Sequence, residues 1–80
     1  MISRYFFHLR RKGEFIPDHE GTELFNVDAA QKEAMLAARY LLISTLMTDE
    51  PVRLDDAVRV INELGVQIHA VTFKEALGLA

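Results

Sequence analysis

The chain of 80 residues contains no cysteine and no tryptophan, and only two prolines and four glycines. Without cysteine there is no disulfide staple, no thiolate metal ligand and no thiol nucleophile. The glycines, at positions 13, 21, 65 and 78, stand alone, so no glycine-rich phosphate loop exists and each reads as a turn or terminus residue. No apolar run approaches the roughly 18 residues needed to cross a bilayer. The opening residues, MISRYFFHLRRK, place their basic residues after the apolar stretch, and no small-residue cleavage site follows, which is not the order of a signal peptide. A cytoplasmic protein without membrane association is the expectation. Basic residues are in deficit, and net charge is −3. The first 13 residues nevertheless carry Arg4, Arg10, Arg11 and Lys12 with no acid, a local +4, while the remainder carries five bases against twelve acids. The acidic balance makes nucleic acid an unlikely partner, although a basic patch survives at the amino end.

What is present suits one domain over residues 1–80, with half the residues hydrophobic. A chain this short buries about 60–65% of the surface it exposes unfolded, so its stability is expected to be marginal. Small domains without staples often recover burial by oligomerising.

Residues 3 to 10 alternate. Tyr5, Phe7 and Leu9 fall on an apolar side, and Arg4, Phe6, His8 and Arg10 fall on the other. Arg11, Lys12 and Gly13 read as a turn. Glu14 to Ile16 read as a short return strand stopped by Pro17. Residues 18–25, DHEGTELF, read as a polar connection. Asn26 stands where a helix cap belongs, with Asp28 as the alternative, because Gln31 gives it a capping-box spacing. Residues 27–47 are rich in good helix formers and contain neither Gly nor Pro. A loop over 48–56 follows. Strands over 57–62 and 66–72 are joined by Glu63-Leu64-Gly65, and Phe73 to Leu77 add a helical turn. In the last strand, Val66, Ile68 and Ala70 share one side, and Gln67, His69 and Val71 the other. The expected fold is α+β: β-β-α-β-β, a four-stranded antiparallel sheet with one long helix across one face.

The helix has more apolar surface than one sheet needs. Ala30, Ala34, Ala37, Ala38, Leu41, Leu42 and Thr45, extended by Met35 and Leu46, make a core stripe. Leu36, Tyr40, Ile43 and Met47, spaced 4, 3 and 4, make a second one. It either lies beneath the 48–56 loop or the carboxy-terminal tail, or serves as a subunit interface, the expectation being a homodimer.

No catalytic constellation assembles. Ser3 and Ser44 lack the setting of a nucleophile, and no enzyme activity, metal or cofactor is expected. Asp18-His19-Glu20-Gly21-Thr22-Glu23 does not match a calcium loop and reads as a solvated turn before the helix. His8, His19 and His69 lack a local pair that would set zinc geometry. The outer sheet face is the other candidate surface. It is expected to show Arg4, Phe6, His8, Arg10, Arg59, Ile61 and His69. Aromatics among cations on an open sheet can stack unpaired bases, pack in an oligomer, or simply half-cover a sheet.

Arg4-Tyr5-Phe6-Phe7-His8, the Asp18-x-x-Gly21-x-Glu23-Leu24 segment, the helix opening Asp28-Ala29-Ala30 and Phe73 together resemble a family of short uncharacterised alphaproteobacterial proteins. The resemblance covers nearly the whole chain and implies this fold in a bacterial cytoplasm, but no site. A weaker similarity, carried by the acidic-Gly loop, Glu33-Ala34 and Leu36-Ala37-Ala38, is to HicB-type antitoxins. It implies a nucleic-acid-associated regulator as the alternative to a protein–protein contact module.

Overall fold

The alternation in residues 3–10 becomes the longest strand of the fold in the computed structural model, which describes residues 2–78. In chain order the elements are β1 (Ser3–Arg11), β2 (Glu14–Ile16), β3 (Thr22–Leu24), α1 (Val27–Met47), β4 (Ala57–Ile61), β5 (Gln67–Thr72) and a short α2 (Phe73–Ala76). The architecture is α+β, an antiparallel sheet with one long helix, but the sheet has five strands instead of four. Its order is β2-β1-β4-β5, and β3 also pairs with β1.

The fifth strand exists because β1 is longer than its hairpin partner. β2 covers only the end of β1, with Leu9 opposite Ile16 and Arg11 opposite Glu14. The freed edge at the start of β1 takes β3, with Ser3 opposite Leu24 and Tyr5 opposite Thr22. A three-residue strand with one apolar side chain has no periodicity to detect, so the 18–25 segment looked like connection only. β4 occupies the other edge of β1 and is antiparallel to it, as β3 is. β3 and β4 therefore run parallel with β1 between them, and α1 is the crossover that joins them.

Local chemistry sets the joints. Lys12 (φ 55°) and Gly13 (φ 77°) both take positive φ, as a two-residue hairpin turn of the I′ type requires. The Lys12 amide donates to both carboxylate oxygens of the buried Asp56, each at 3.1 Å. Asn26 caps α1 as expected, its Oδ1 accepting from the Ala29 amide at 2.9 Å. The last turn of α1 has no basic residue of its own. Arg11 supplies the cation from β1, donating to Thr45 Oγ1 at 3.0 Å.

The core forms where the alanine stripe meets the sheet. Ala30, Ala34 and Ala38 of α1 lie fully buried with Tyr5, Val58, Val60 and Val71, and Phe7, Leu9, Leu24, Met35, Ala37 and Leu41 pack around them. Leu42 and Thr45 are buried further along α1. Leu46, expected to extend the stripe, is exposed instead, about 100° round the helix from Thr45. Phe73 of α2 is buried, and a Thr72/Glu75 capping box holds it there.

One side assignment is overturned. Val58 pairs with Val71, Arg59 with Ala70 and Val60 with His69, but Ile61 pairs with Gln67. One residue, Ile68, is extra in β5, and an extra residue reverses the parity of everything before it. Directly opposed residues share a face, so Val71 and His69 belong to the helix-covered side and Ala70 to the outer side. His69 is therefore not part of the outer face. Ile68 still packs against the core from its bulged position.

Candidate functional site

The segment read as a solvated turn is a strut. Between β2 and β3 the middle of β1 has no strand partner on that edge, yet its backbone needs one. Asp18 takes the place of a strand. Its Oδ2 accepts from the Phe7 amide at 3.1 Å, and its Oδ1 accepts from the amides of Glu20 (3.2 Å) and Gly21 (3.1 Å). The Asp18 amide in turn donates to His8 Nδ1 at 2.9 Å. Arg4 closes the far end. Nη1 donates to the Glu20 carbonyl and Nη2 to Glu23 Oε1, both at 2.7 Å. Burial raises the Asp18 carboxyl, but the amides of Gly21, Phe7 and Glu20 and the neighbouring His8 outweigh it. The group titrates below its ordinary 3.8.

Gly21 lies directly on the outer face. It has φ 72°, and a Cβ there would stand 2.8 Å from Arg4 Cγ and 2.9 Å from both Phe6 Cε2 and the Tyr5 carbonyl oxygen. Phe6 is thus half-buried under the chain's own loop, and Arg4 and His8 are engaged by it. What stays open is the other end of the face. There Phe15, opposite Arg10, meets His8 edge-on, with ring centroids 5.3 Å apart and 74° between planes. Arg59 lies opposite His8 on the same face. Arg10, Gly13, Phe15 and Arg59 line a hollow of about 190 Å³.

On the opposite side of the molecule, Leu36 is 59% exposed, Tyr40 70%, Ile43 56% and Met47 82%. The second stripe is therefore not buried beneath the 48–56 loop; α1 presents it outward. Leu46 widens it. A larger cavity of about 310 Å³ sits at the amino end of α1, lined by Ser3, Tyr5, Val27, Asn62, Glu63, Leu64 and Ile68. Two of its polar side chains are already engaged. Glu63 Oε1 accepts from the Arg4 amide at 2.5 Å, and Asn62 Oδ1 accepts from the amides of Leu64 and Val66.

Among the described residues, no three His, Asp or Glu side chains are grouped to hold a metal ion, and His19 stands exposed in the loop. No helix of the structure is long and apolar enough to cross a membrane. The sequence did signal the strut, because the residues quoted for the family resemblance are the ones that interlock. Only a non-local pairing reveals why, since Asp18 and Phe7 stand 11 positions apart.

No curated protein and no solved structure matches the chain. A family model described as a domain of unknown function, DUF6894, matches residues 4–74, a span that starts at the Arg4 of the strut and takes in all of β2 to β5, all of α1 and all of β1 but Ser3. The chain therefore belongs to the DUF6894 family.

Proposed function

We propose that this is a small non-enzymatic bacterial protein of the cytoplasm that works through protein–protein contact as a homodimer joined along α1. The bare stripe of Leu36, Tyr40, Ile43 and Met47 is the observation that carries the reading. The 4-3-4 spacing is that of a two-helix seam. With large side chains offering roughly 150–200 Å² each, the exposed part of the stripe comes to about 500 Å² per copy. Two copies together bury about 1,000 Å², the lower limit for a specific interface. Charge selects the direction. A parallel pair would set Lys32 against Lys32 and Arg39 against Arg39. An antiparallel pair centred between Tyr40 and Ile43 brings Lys32 to the end of the second copy's helix, beside Asp49.

The groups a catalytic reading would draw on, Asp18, His8 and Glu23, are already occupied in the strut. The antitoxin-like alternative needs the outer sheet face, and the loop over Phe6 leaves it only the Arg10–Arg59 end. Light scattering at tens of micromolar is the test. The wild type runs as a dimer and Ile43→Asp as a folded monomer; a wild-type monomer at that concentration defeats the reading.

A further inference from the structure

We propose that the hollow bounded by Arg10, Gly13, Phe15 and Arg59 binds a nucleoside phosphate, the phosphate seated between the two guanidiniums and the base against the exposed ring of Phe15. The argument begins with register. Arg10 stands opposite Ala57 on one side and Phe15 on the other, while Arg59 stands opposite His8. All five residues share the outer face. Ala57 is small and Gly13 has no side chain, so a space remains between the two arginines. At about 190 Å³ it falls below the roughly 300 Å³ at which pockets for drug-sized molecules begin. It takes the phosphate group alone and leaves the nucleoside outside, against Phe15.

The charge fits that anion. Among the described residues neither Arg10 nor Arg59 makes an ion pair, whereas Arg4 and Lys12 do. No acid faces the hollow from β1, β2, β4 or β5, because Glu14 is on the other side of β2. Arg53 stands behind Gly13, its Nη1 3.4 Å from the Cβ position there, and lines a neighbouring hollow with Lys12 and Glu50. Paired guanidinium forks match phosphate oxygens in geometry as well as charge.

Phe15 supplies the second half of the site. His8 holds its ring edge-on, and His8 is itself fixed by the Asp18 amide. Phe15 is nevertheless 59% exposed. A rigid aromatic beside a phosphate seat accepts any base, because every base has a π-face. The site lies on the opposite side of the sheet from α1 and does not rest on the dimer reading.

The test titrates the isotope-labelled full chain at low salt with inorganic phosphate, with AMP and with a short single-stranded adenylate, following backbone amide resonances. Shifts centred on Gly13, Phe15 and Arg59 are expected with all three. Arg10→Gln and Arg59→Gln each weaken all three by about tenfold. Phe15→Leu weakens AMP and the strand several-fold while leaving inorganic phosphate unchanged. A strand that outbinds AMP with steep salt dependence assigns the ligand to single-stranded nucleic acid; AMP binding equal to the strand's assigns it to a free nucleotide. The proposal is overturned if millimolar AMP shifts none of these amides, or if both arginine variants bind as the wild type does. Ile43→Asp binds AMP normally, so failure of the dimer and failure of this site remain distinguishable.

Discussion

Replacing Asp18 by Asn tests whether one carboxylate stands in for a missing strand. The side chains are nearly isosteric, and an amide oxygen can still accept from Glu20 and Gly21. The amide nitrogen must then face the Phe7 amide, which now donates to Oδ2 at 3.1 Å. Two donors meet, and a partly buried backbone N–H is left without an acceptor. Such a group costs about 1–3 kcal/mol, and losing the charge from the other two hydrogen bonds adds to it. A total of about 2 kcal/mol is expected. For a chain whose whole stability is about 4–12 kcal/mol, that lowers the melting temperature by roughly 10 °C. Urea unfolding followed by far-UV circular dichroism reads it directly. The midpoint falls by about 1–2 M with an unchanged slope. The pH dependence gives an independent sign. The folded carboxyl titrates below its unfolded value near 3.8. Its contribution is therefore complete above that value and fades as pH falls through the lower folded value. The wild type's advantage over Asp18→Asn is constant near neutrality, begins to shrink only as pH drops past 3.8, and is lost as pH falls through the lower folded value. A variant within 0.5 kcal/mol of the wild type at pH 7 would refute the strut.

Two further substitution pairs separate position from residue type. Gly21→Ala and Gly65→Ala impose similar backbone strain, at φ 72° and φ 80°. Only at Gly21 does the new Cβ meet Arg4, Phe6 and the Tyr5 carbonyl under 3.0 Å, whereas at Gly65 nothing lies within 4 Å. Thermal melts should show about 1 kcal/mol lost at Gly65 and at least twice that at Gly21; equal losses count against the close approach. Asn26→Ala removes the acceptor of the Ala29 amide and costs about 1 kcal/mol, while Asp28→Ala loses a few tenths through the helix dipole. Reversal of that order in urea titrations would move the cap to Asp28.

The parts of the fold legible in the sequence are those with local causes. Tyr5 and Leu9 are placed by alternation, Ala30 to Leu42 by the helical period, Asn26 by capping, and the 63–65 turn by Gly65. Non-local causes were invisible. β3 forms because β1 has unused edge, which nothing in Thr22-Glu23-Leu24 announces. His69 changes sides because Ile68 is skipped in the ladder, and no composition rule marks a bulge there. For the candidate surfaces the balance differs. The stripe on α1 was visible as a period, but whether the 48–56 loop covered it depended on where that loop ran. The outer face was visible as alternation, but its division into a covered half and an open half depended on Gly21 folding back over Phe6.

The central position of β1 bears on how the protein is made. β1 leaves the ribosome well ahead of β4, its partner about 50 residues later in the chain. Until that partner is synthesised, β1 can hold only the short β2 and β3 on one edge, and its other edge, with Phe6 and Phe7 beside it, is an open template for another nascent chain. A chain terminated after α1 should therefore aggregate instead of folding partway. Arg4, Arg10, Arg11 and Lys12 at this strand and its turn oppose that association by charge and slow it while the rest of the chain is made.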